Sequence, residues 1–191
     1  MRFGFYLGFM RRIQVFISFG MAILILLFLP EPTSSQDSKK TSLVGSASLV
    51  FASNDGFAML GSGFHLKLIM PLNSHGDALT TGLDSYIIDY FDTYDVSSEP
   101  FIFITGTLGY RKKIRSLYIE PQLGGGYYRD EEYYLFMPHY TPTPCGAMGV
   151  ECGIEKKRLC YSVDYRFISS GQFIKEDIFH TFSIKVGYRF F

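Results

Sequence analysis

The sequence predicts an all-β fold, an eight-stranded antiparallel up-and-down transmembrane β-barrel. Three observations carry that prediction. After residue 35, apolar residues recur at every second position rather than every third and fourth, which is the period of strands. The segments with this period number eight, an even count, and their lengths suit a tilted crossing of roughly 9–11 residues. No apolar run in that part is long enough for a spanning helix, and a bilayer admits strands only where a closed barrel pairs every edge. Composition agrees. The 191 residues are 47% hydrophobic and 17% aromatic, too apolar for a disordered tail. Lys and Arg number 18 against 18 Asp and Glu, so the basic excess of a nucleic-acid binder is missing and no nucleic-acid partner is expected.

Residues 1–35 read as a cleaved signal peptide. Arg11 and Arg12 form a positive start, 13–29 is apolar up to Pro30, and Thr33 and Ser35 stand at −3 and −1 of a cut after Ser35. Met10 offers an alternative start of translation, and a retained anchor is the competing reading of the same apolar run. The barrel domain is then 36–191. Export implies an oxidising compartment.

The alternation places strands at 41–52, 57–70, 83–92, 100–110, 114–128, 145–155, 158–169 and 179–191. Strands four and five join through Arg111, Lys112 and Lys113, and strands six and seven through Lys156 and Lys157. The link 129–144 is long, with Asp130, Glu131, Glu132 and three prolines. Short turns at one rim and longer loops at the other are the habit of outer-membrane barrels. The short 53–56 link and the long 71–82 link fit that habit least.

Each strand divides into an apolar and a polar face. Phe182, Ile184, Val186, Tyr188 and Phe190 oppose Thr181, Ser183, Lys185, Gly187 and Arg189; Leu117, Ile119, Pro121 and Leu123 oppose Tyr118, Glu120 and Gln122. The polar face carries small residues and isolated charges rather than dense Lys and Glu, and the apolar face ends in tyrosines suited to an aromatic girdle. The polar face therefore points into the barrel and the apolar face to lipid, the inverse of a soluble barrel such as a lipocalin.

On that assignment Lys67, Arg166, Lys185 and Arg189 face Asp89, Glu120, Glu151 and Asp164 inside a lumen that eight strands leave just wide enough to fill with side chains. Buried ions must pair, so these residues are expected to plug the barrel rather than open an ion path. A seven–eight hairpin centred between Ile174 and Lys175 sets Asp164 opposite Lys185 and Arg166 opposite Ser183. The same register sets Ser169 opposite His180 on the lipid side. A turn at Lys156-Lys157 sets Gly153 opposite Cys160 and points Cys152 and Cys160 to opposite faces, so no Cys152–Cys160 disulfide is expected. With Cys145 the cysteine count is odd.

Two stretches carry a family resemblance. Tyr118-Ile119-Glu120-Pro121-Gln122-Leu123-Gly124-Gly125-Gly126-Tyr127 resembles a mid-barrel strand of small bacterial outer-membrane proteins. Val186-Gly187-Tyr188-Arg189-Phe190-Phe191 resembles their C-terminal insertion signal, with Phe191 one residue past the alternating set. The chain thus resembles the outer-membrane protein A-like eight-stranded barrels. The resemblance implies location in the outer membrane, contact with outer-membrane lipid and lipopolysaccharide, and recognition of Tyr188, Phe190 and Phe191 by the barrel-assembly machinery. Such barrels serve as anchors, adhesins, small pores or lipid-modifying enzymes, and fold does not choose among these.

The enzymatic alternative is a lipid A-modifying hydrolase using Ser169 and His180. Lipid A deacylases of this kind resemble a His-x-Ser-Asn pattern, and here Phe167-Ile168-Ser169-Ser170 lacks both the His and the Asn; Glu176 or Asp177 would have to orient His180. His65, expected beside Lys67 in the lumen, His75 and His139 lack metal-ligand spacing; no metal or cofactor is expected. Tyr133, Tyr134, Phe136 and Tyr140, beside acidic residues in the 129–144 link, form a candidate contact surface. The expectation is a non-enzymatic barrel with a salt-bridged lumen and a structural or surface-interaction role through 129–144; a small pore or transport channel is the alternative.

Overall fold

The structure, a computed structural model, describes residues 40–54, 57–90, 100–134, 137–170 and 178–191, with backbone alone at 57, 90, 130–134, 137–141 and 170. The expected signal peptide lies outside the described residues. Eight strands follow in chain order: β1 Ser42–Asn54, β2 Phe57–Pro71, β3 Ala78–Tyr90, β4 Phe101–Ile114, β5 Leu117–Tyr134, β6 Met137–Lys156, β7 Leu159–Ser170 and β8 Ile178–Arg189. Each pairs antiparallel with the next, and β8 returns to β1 from Val44↔Arg189 to Asn54↔Phe179. The sheet is a closed barrel, which removes every open edge from the wall.

The start of β1, the end of β8 and three turns share one rim, here the terminal rim. Two of these turns are tight: Arg115-Ser116 and Lys157-Arg158, with Arg115 at φ 58° and Lys157 at φ 56°. The third, between β2 and β3, folds over Asn73, whose Oδ1 accepts the backbone N–H groups of His75 and Asp77, both at 3.0 Å. The other strand ends, those of β1–β2, β3–β4, β5–β6 and β7–β8, lie at the opposite, loop rim.

Several boundaries differ from expectation. β4 runs on to Ile114, so Arg111, Lys112 and Lys113 are strand rather than turn, and β3 begins at Ala78 rather than Leu83. The β6–β7 hairpin closes one residue later, with Lys156 facing Leu159 and Cys152 facing Val163. In β7–β8 Asp164 faces Ser183, Lys185 faces Ser162 and Arg166 faces Thr181, two residues from the expected partners. A two-residue slip preserves which face each side chain takes, because the strand period is two. Cys145, Cys152 and Cys160 are free thiols; Cys160 is buried, and Cys152 lies on the opposite face.

The 129–144 link is a hairpin rather than a loop. β5 and β6 stay paired from Arg129↔Pro142 to Tyr134↔Met137. This ribbon outreaches its neighbours, since the β4 pairing stops at Ile102↔Arg129 and the β7 pairing at Cys145↔Ser170. Its prolines conceal the strand in the sequence. Pro138, Pro142 and Pro144 share one parity, and proline is tolerated on an edge where its missing N–H faces away from the partner.

The wall has an oily exterior. Leu123 is 65% and Leu108 62% exposed, and Phe64, Leu83, Ile104, Met148 and Ile184 project likewise. The interior is layered. Next to the loop rim, contrary to the uniformly polar lumen expected, it is apolar: Phe103 and Phe179 meet edge-to-face at 5.0 Å and Phe103 stacks on Tyr128 at 5.5 Å, among Val50, Ile88 and Ile168. The middle is polar and ionic. A smaller apolar group, Val44, Ile69, Ala78 and Cys160, lies toward the terminal rim. Glycines on the inner face make room for the largest polar side chains. A Cβ at Gly153 would lie 2.5 Å from the Tyr118 ring, and one at Gly149 would lie 2.6 Å from Arg166 Cγ.

Candidate functional site: the lumen charge network

The network is built by inward positions at matching heights on β2 through β8. Its upper part centres on Arg166 of β7. Nη1 donates to Asp84 Oδ2 at 2.6 Å, Nη2 donates to Gln122 Oε1 at 2.8 Å, and Nε lies 2.8 Å from Asp164 Oδ2. Lys185 of β8 reaches Asp164 Oδ2 at 3.1 Å and Glu151 Oε2 at 3.0 Å. The expected Asp164–Lys185 pair therefore forms, although diagonally. The lower part links Lys67 to Glu120 at 2.8 Å and Glu151 at 2.9 Å, and Arg111 Nε to Glu120 Oε2 at 2.7 Å. Glu155 closes the network toward the terminal rim, pairing with Arg111 and with Arg189 at 2.5 Å. Gln122 joins the two parts by accepting from Arg166 and donating to Glu120 Oε1 at 2.7 Å.

The bonds run across the barrel as well as along its wall. Asp84 on β3 meets Arg166 on β7, and Lys67 on β2 meets Glu151 on β6. Among the described residues, the five carboxylates Asp84, Glu120, Glu151, Glu155 and Asp164 each have a cation within reach. This is the condition under which ions survive in a poorly hydrated interior.

Of the expected lumen residues, Lys67, Glu120, Glu151, Asp164, Arg166, Lys185 and Arg189 are in the network. Asp89 is not: it shares the outward parity of Leu83 and Ile87, and Asp84 takes the inward place. The 83–89 stretch is apolar on both faces, so its alternation does not reveal which acid points inward. Arg111 and Glu155 were also missed. The signal for Arg111 was the continuing parity Phe103, Thr105, Thr107, Gly109, Arg111, which a turn reading at Arg111 cut short.

His65 adds a relay. Its Nδ1 lies 2.7 Å from Asp84 Oδ1 and its Nε2 2.8 Å from Ser48 Oγ. With Nδ1–H donating to the carboxylate, Nε2 accepts the serine hydroxyl. The connectivity is that of a nucleophile, base and orienter. Ser48 is wholly buried, however, with Gly63 packed against its Oγ, and a substrate has no approach. The relay lies within the buried ionic layer, where Asp84 also meets Arg166.

On the outer wall the expected Ser169–His180 pair does not form. His180 faces Phe167, Ser169 faces Ile178, and Tyr165 Oη and His180 Nδ1 share a hydrogen bond at 2.7 Å. The two-residue slip of the hairpin is the cause. Glu176 and Asp177 lie outside the described residues, as does Phe136; Tyr133, Tyr134 and Tyr140 lie on the protruding ribbon. Tyr188 is buried against the ring of Phe190, 5.4 Å away, and β8 ends at Arg189.

At the terminal rim Asp77 ties the β2–β3 turn to the end of β4. It accepts from Lys112 Nζ at 2.8 Å, Asn73 Nδ2 at 2.9 Å and the Lys113 N–H at 3.2 Å. The Lys112 ammonium, then the Asn73 amide, holds the Asp77 carboxyl well below the usual carboxylate range. A depressed native pKa stabilises the fold above the unfolded value of about 3.9 and loses that contribution as pH falls through the native one. The difference in unfolding midpoint between the wild type and Asp77→Asn is therefore expected to be constant at neutral pH and to shrink on acidification below about pH 4. Urea titrations of both proteins across pH check this.

No protein-family model matches the chain, and no curated protein matches it in sequence. Solved structures share its fold. Ail, the attachment invasion locus protein of Yersinia pestis, aligns with a TM-score of 0.57 at 16% identity, over 78% of this chain and 97% of Ail. The same protein in complex with the heparin analogue sucrose octasulfate aligns at 0.54 and 15% identity, with the same coverage. Neisserial surface protein A aligns at 0.56 and 10% identity, over 82% of this chain and 98% of its own. At these identities the likeness is one of fold. The chain has the architecture of the small eight-stranded bacterial outer-membrane barrels, and its oily exterior is that of a protein embedded in the outer membrane.

Proposed function

We propose that the protein is a non-enzymatic outer-membrane barrel whose lumen is closed by its ionic network, acting as a rigid platform for the β5–β6 ribbon. The observation that carries this reading is the set of ion pairs across the lumen. Arg166 is 1% and Lys185 3% exposed, and the bridges from β3 to β7 and from β2 to β6 cross the space an ion would need. The aromatic layer of Phe103, Tyr128 and Phe179 lies over them toward the loop rim. A rigid, sealed barrel that projects one hairpin beyond its neighbours suits a structural or surface-contact role through Tyr133, Tyr134 and Tyr140. On this reading the terminal rim faces the periplasm and the ribbon faces outward, toward lipopolysaccharide. Tyr188, Phe190 and Phe191 are the segment offered to the barrel-assembly machinery.

Planar-bilayer recording of the purified protein tests the sealed lumen directly. No stable conductance steps are expected from the wild type. Reproducible unitary steps would overturn the proposal in favour of the pore. The hydrolase alternative predicts fatty-acid release from lipopolysaccharide that disappears in Ser169→Ala; with His180 bonded to Tyr165, no release is expected.

A further inference from the structure

The two tight turns of the terminal rim bring basic residues together above an oily patch. Arg115 is at the tip of the β4–β5 turn, and Lys156 and Lys157 stand at the β6–β7 turn; all three are exposed. The turns are neighbours, because β5 and β6 pair from Leu117↔Ile154 onward and the Glu155 N–H donates to the Ser116 carbonyl at 3.2 Å. Immediately beside them on the outer wall are Ile114, Leu117 and Ile154, all exposed. Neighbouring basic residues are already used: Lys112 bonds Asp77, Lys113 bonds Glu155, and Arg158 donates to the Phe190 carbonyl at 3.1 Å. Arg115 and Lys156 have no acidic partner among the described residues.

Backbone conformation adds a second observation. Arg115 and Lys157 both have positive φ, a region that glycine enters more cheaply than a residue with a Cβ. Each turn thus carries a long basic side chain where a smaller residue would fold more easily. The other end of the barrel has the opposite sign in the sequence: Asp92, Asp95 and Glu99 lie between β3 and β4, and Asp130, Glu131 and Glu132 lie in the ribbon.

We propose that Arg115, Lys156 and Lys157, above the Ile114, Leu117 and Ile154 patch, bind the anionic phospholipid headgroups of the leaflet at the terminal rim. The inference rests on the barrel being embedded as described above. A soluble protein partner would meet the rim end-on. Lys156 instead follows Ile154 on the outward parity of β6, so its stem lies along the oily wall while its ammonium reaches headgroup level. Basic groups at that level attract anionic lipid.

The test uses the full chain refolded into phosphatidylcholine vesicles containing one-tenth phosphatidylglycerol, extracted into mild detergent, with retained lipids counted by native mass spectrometry. One basic residue near an anionic surface favours binding by about fivefold at physiological salt. Retained lipid is therefore expected to be enriched about fivefold or more in phosphatidylglycerol over the bulk ratio, and the enrichment should fall in 0.5 M NaCl. In the triple variant Arg115→Gly, Lys156→Gln, Lys157→Gly the enrichment should drop to near unity. The two glycine changes also relieve the positive-φ positions, so a purely structural role predicts an equally or more stable barrel with enrichment unchanged. That result, or no enrichment in the wild type, overturns the proposal. Loss of the heat-modifiable gel shift of the wild type would instead overturn the embedded barrel on which it rests. Lys156→Gln alone, expected to lower the enrichment severalfold, provides the same decision if the triple variant does not refold.

Discussion

Arg166→Met is expected to destabilise the barrel by about 3–5 kcal/mol, the cost typical of removing one partner from a buried ionic cluster. Three acceptors depend on that guanidinium: Asp84 Oδ2, Asp164 Oδ2 and Gln122 Oε1. The two carboxylates remain buried after the change. His65 and Thr107 still contact Asp84, and Lys185 still contacts Asp164, which places the effect toward the lower end of the range. Arg166→Lys keeps the charge but cannot present three differently directed N–H groups from one plane, so an intermediate loss is expected. Removing Asp84 together with Arg166 should recover part of the loss, because the paired sites are coupled. Urea unfolding from lipid vesicles, followed by far-UV circular dichroism, reads all three variants. A midpoint for Arg166→Met indistinguishable from wild type would show that the guanidinium does not bear on the stability of the lumen.

Leu123→Arg should cost about 2–4 kcal/mol, the penalty for an arginine on the lipid face near the bilayer midplane. Leu123 projects from the middle of β5, opposite Leu108 on β4 and Met148 on β6, and all three are exposed. Leu72→Arg makes the same chemical change in the β2–β3 turn, also exposed, where the penalty should fall to about 0–1 kcal/mol. The contrast matters more than either value. On a water-facing surface both substitutions would lie within about 0.5 kcal/mol of neutral. Unfolding titrations of the two variants in the same vesicles therefore distinguish a lipid-facing wall from a solvated one.

The sequence made the face of each strand more legible than its register. Alternation in 181–190 and 117–123 reports a parity, and parity survives a shift of two residues. Alternation puts Asp164 and Lys185 on the inner face, while the cross-strand partners it predicts for them differ from those in the structure by two residues. Register depends on where a turn closes, and neither Lys157-Arg158 nor the 171–177 link carries the Asn-Gly or Asp-Gly signal that would fix it. Parity itself is ambiguous where both faces carry apolar residues, which is why alternation offers Asp89 in place of Asp84 as the inward acid. The aromatic layer was hidden for the same reason. Phe103 and Phe179 have the oily character of lipid-facing residues, and only closure of the barrel shows that they point inward. The ribbon was obscured by Pro138, Pro142 and Pro144, which signal a loop unless the strand is known to be an edge. The ionic network needed the fold, since Arg166 and Asp84 are four strands apart in the chain and meet only across the lumen.

Polarity in this barrel is inverted: oily side chains meet lipid and ions pack along the axis. The chain contains no tryptophan, so a single introduced indole reports one site. Phe103 is 0% and Ile104 51% exposed, adjacent residues on opposite faces of β4. Phe103→Trp and Ile104→Trp, each refolded into vesicles with brominated acyl chains, provide the most direct measurement. Strong quenching of the indole at 104 and little at 103 is the result predicted; quenching at 103 with protection at 104 would contradict it.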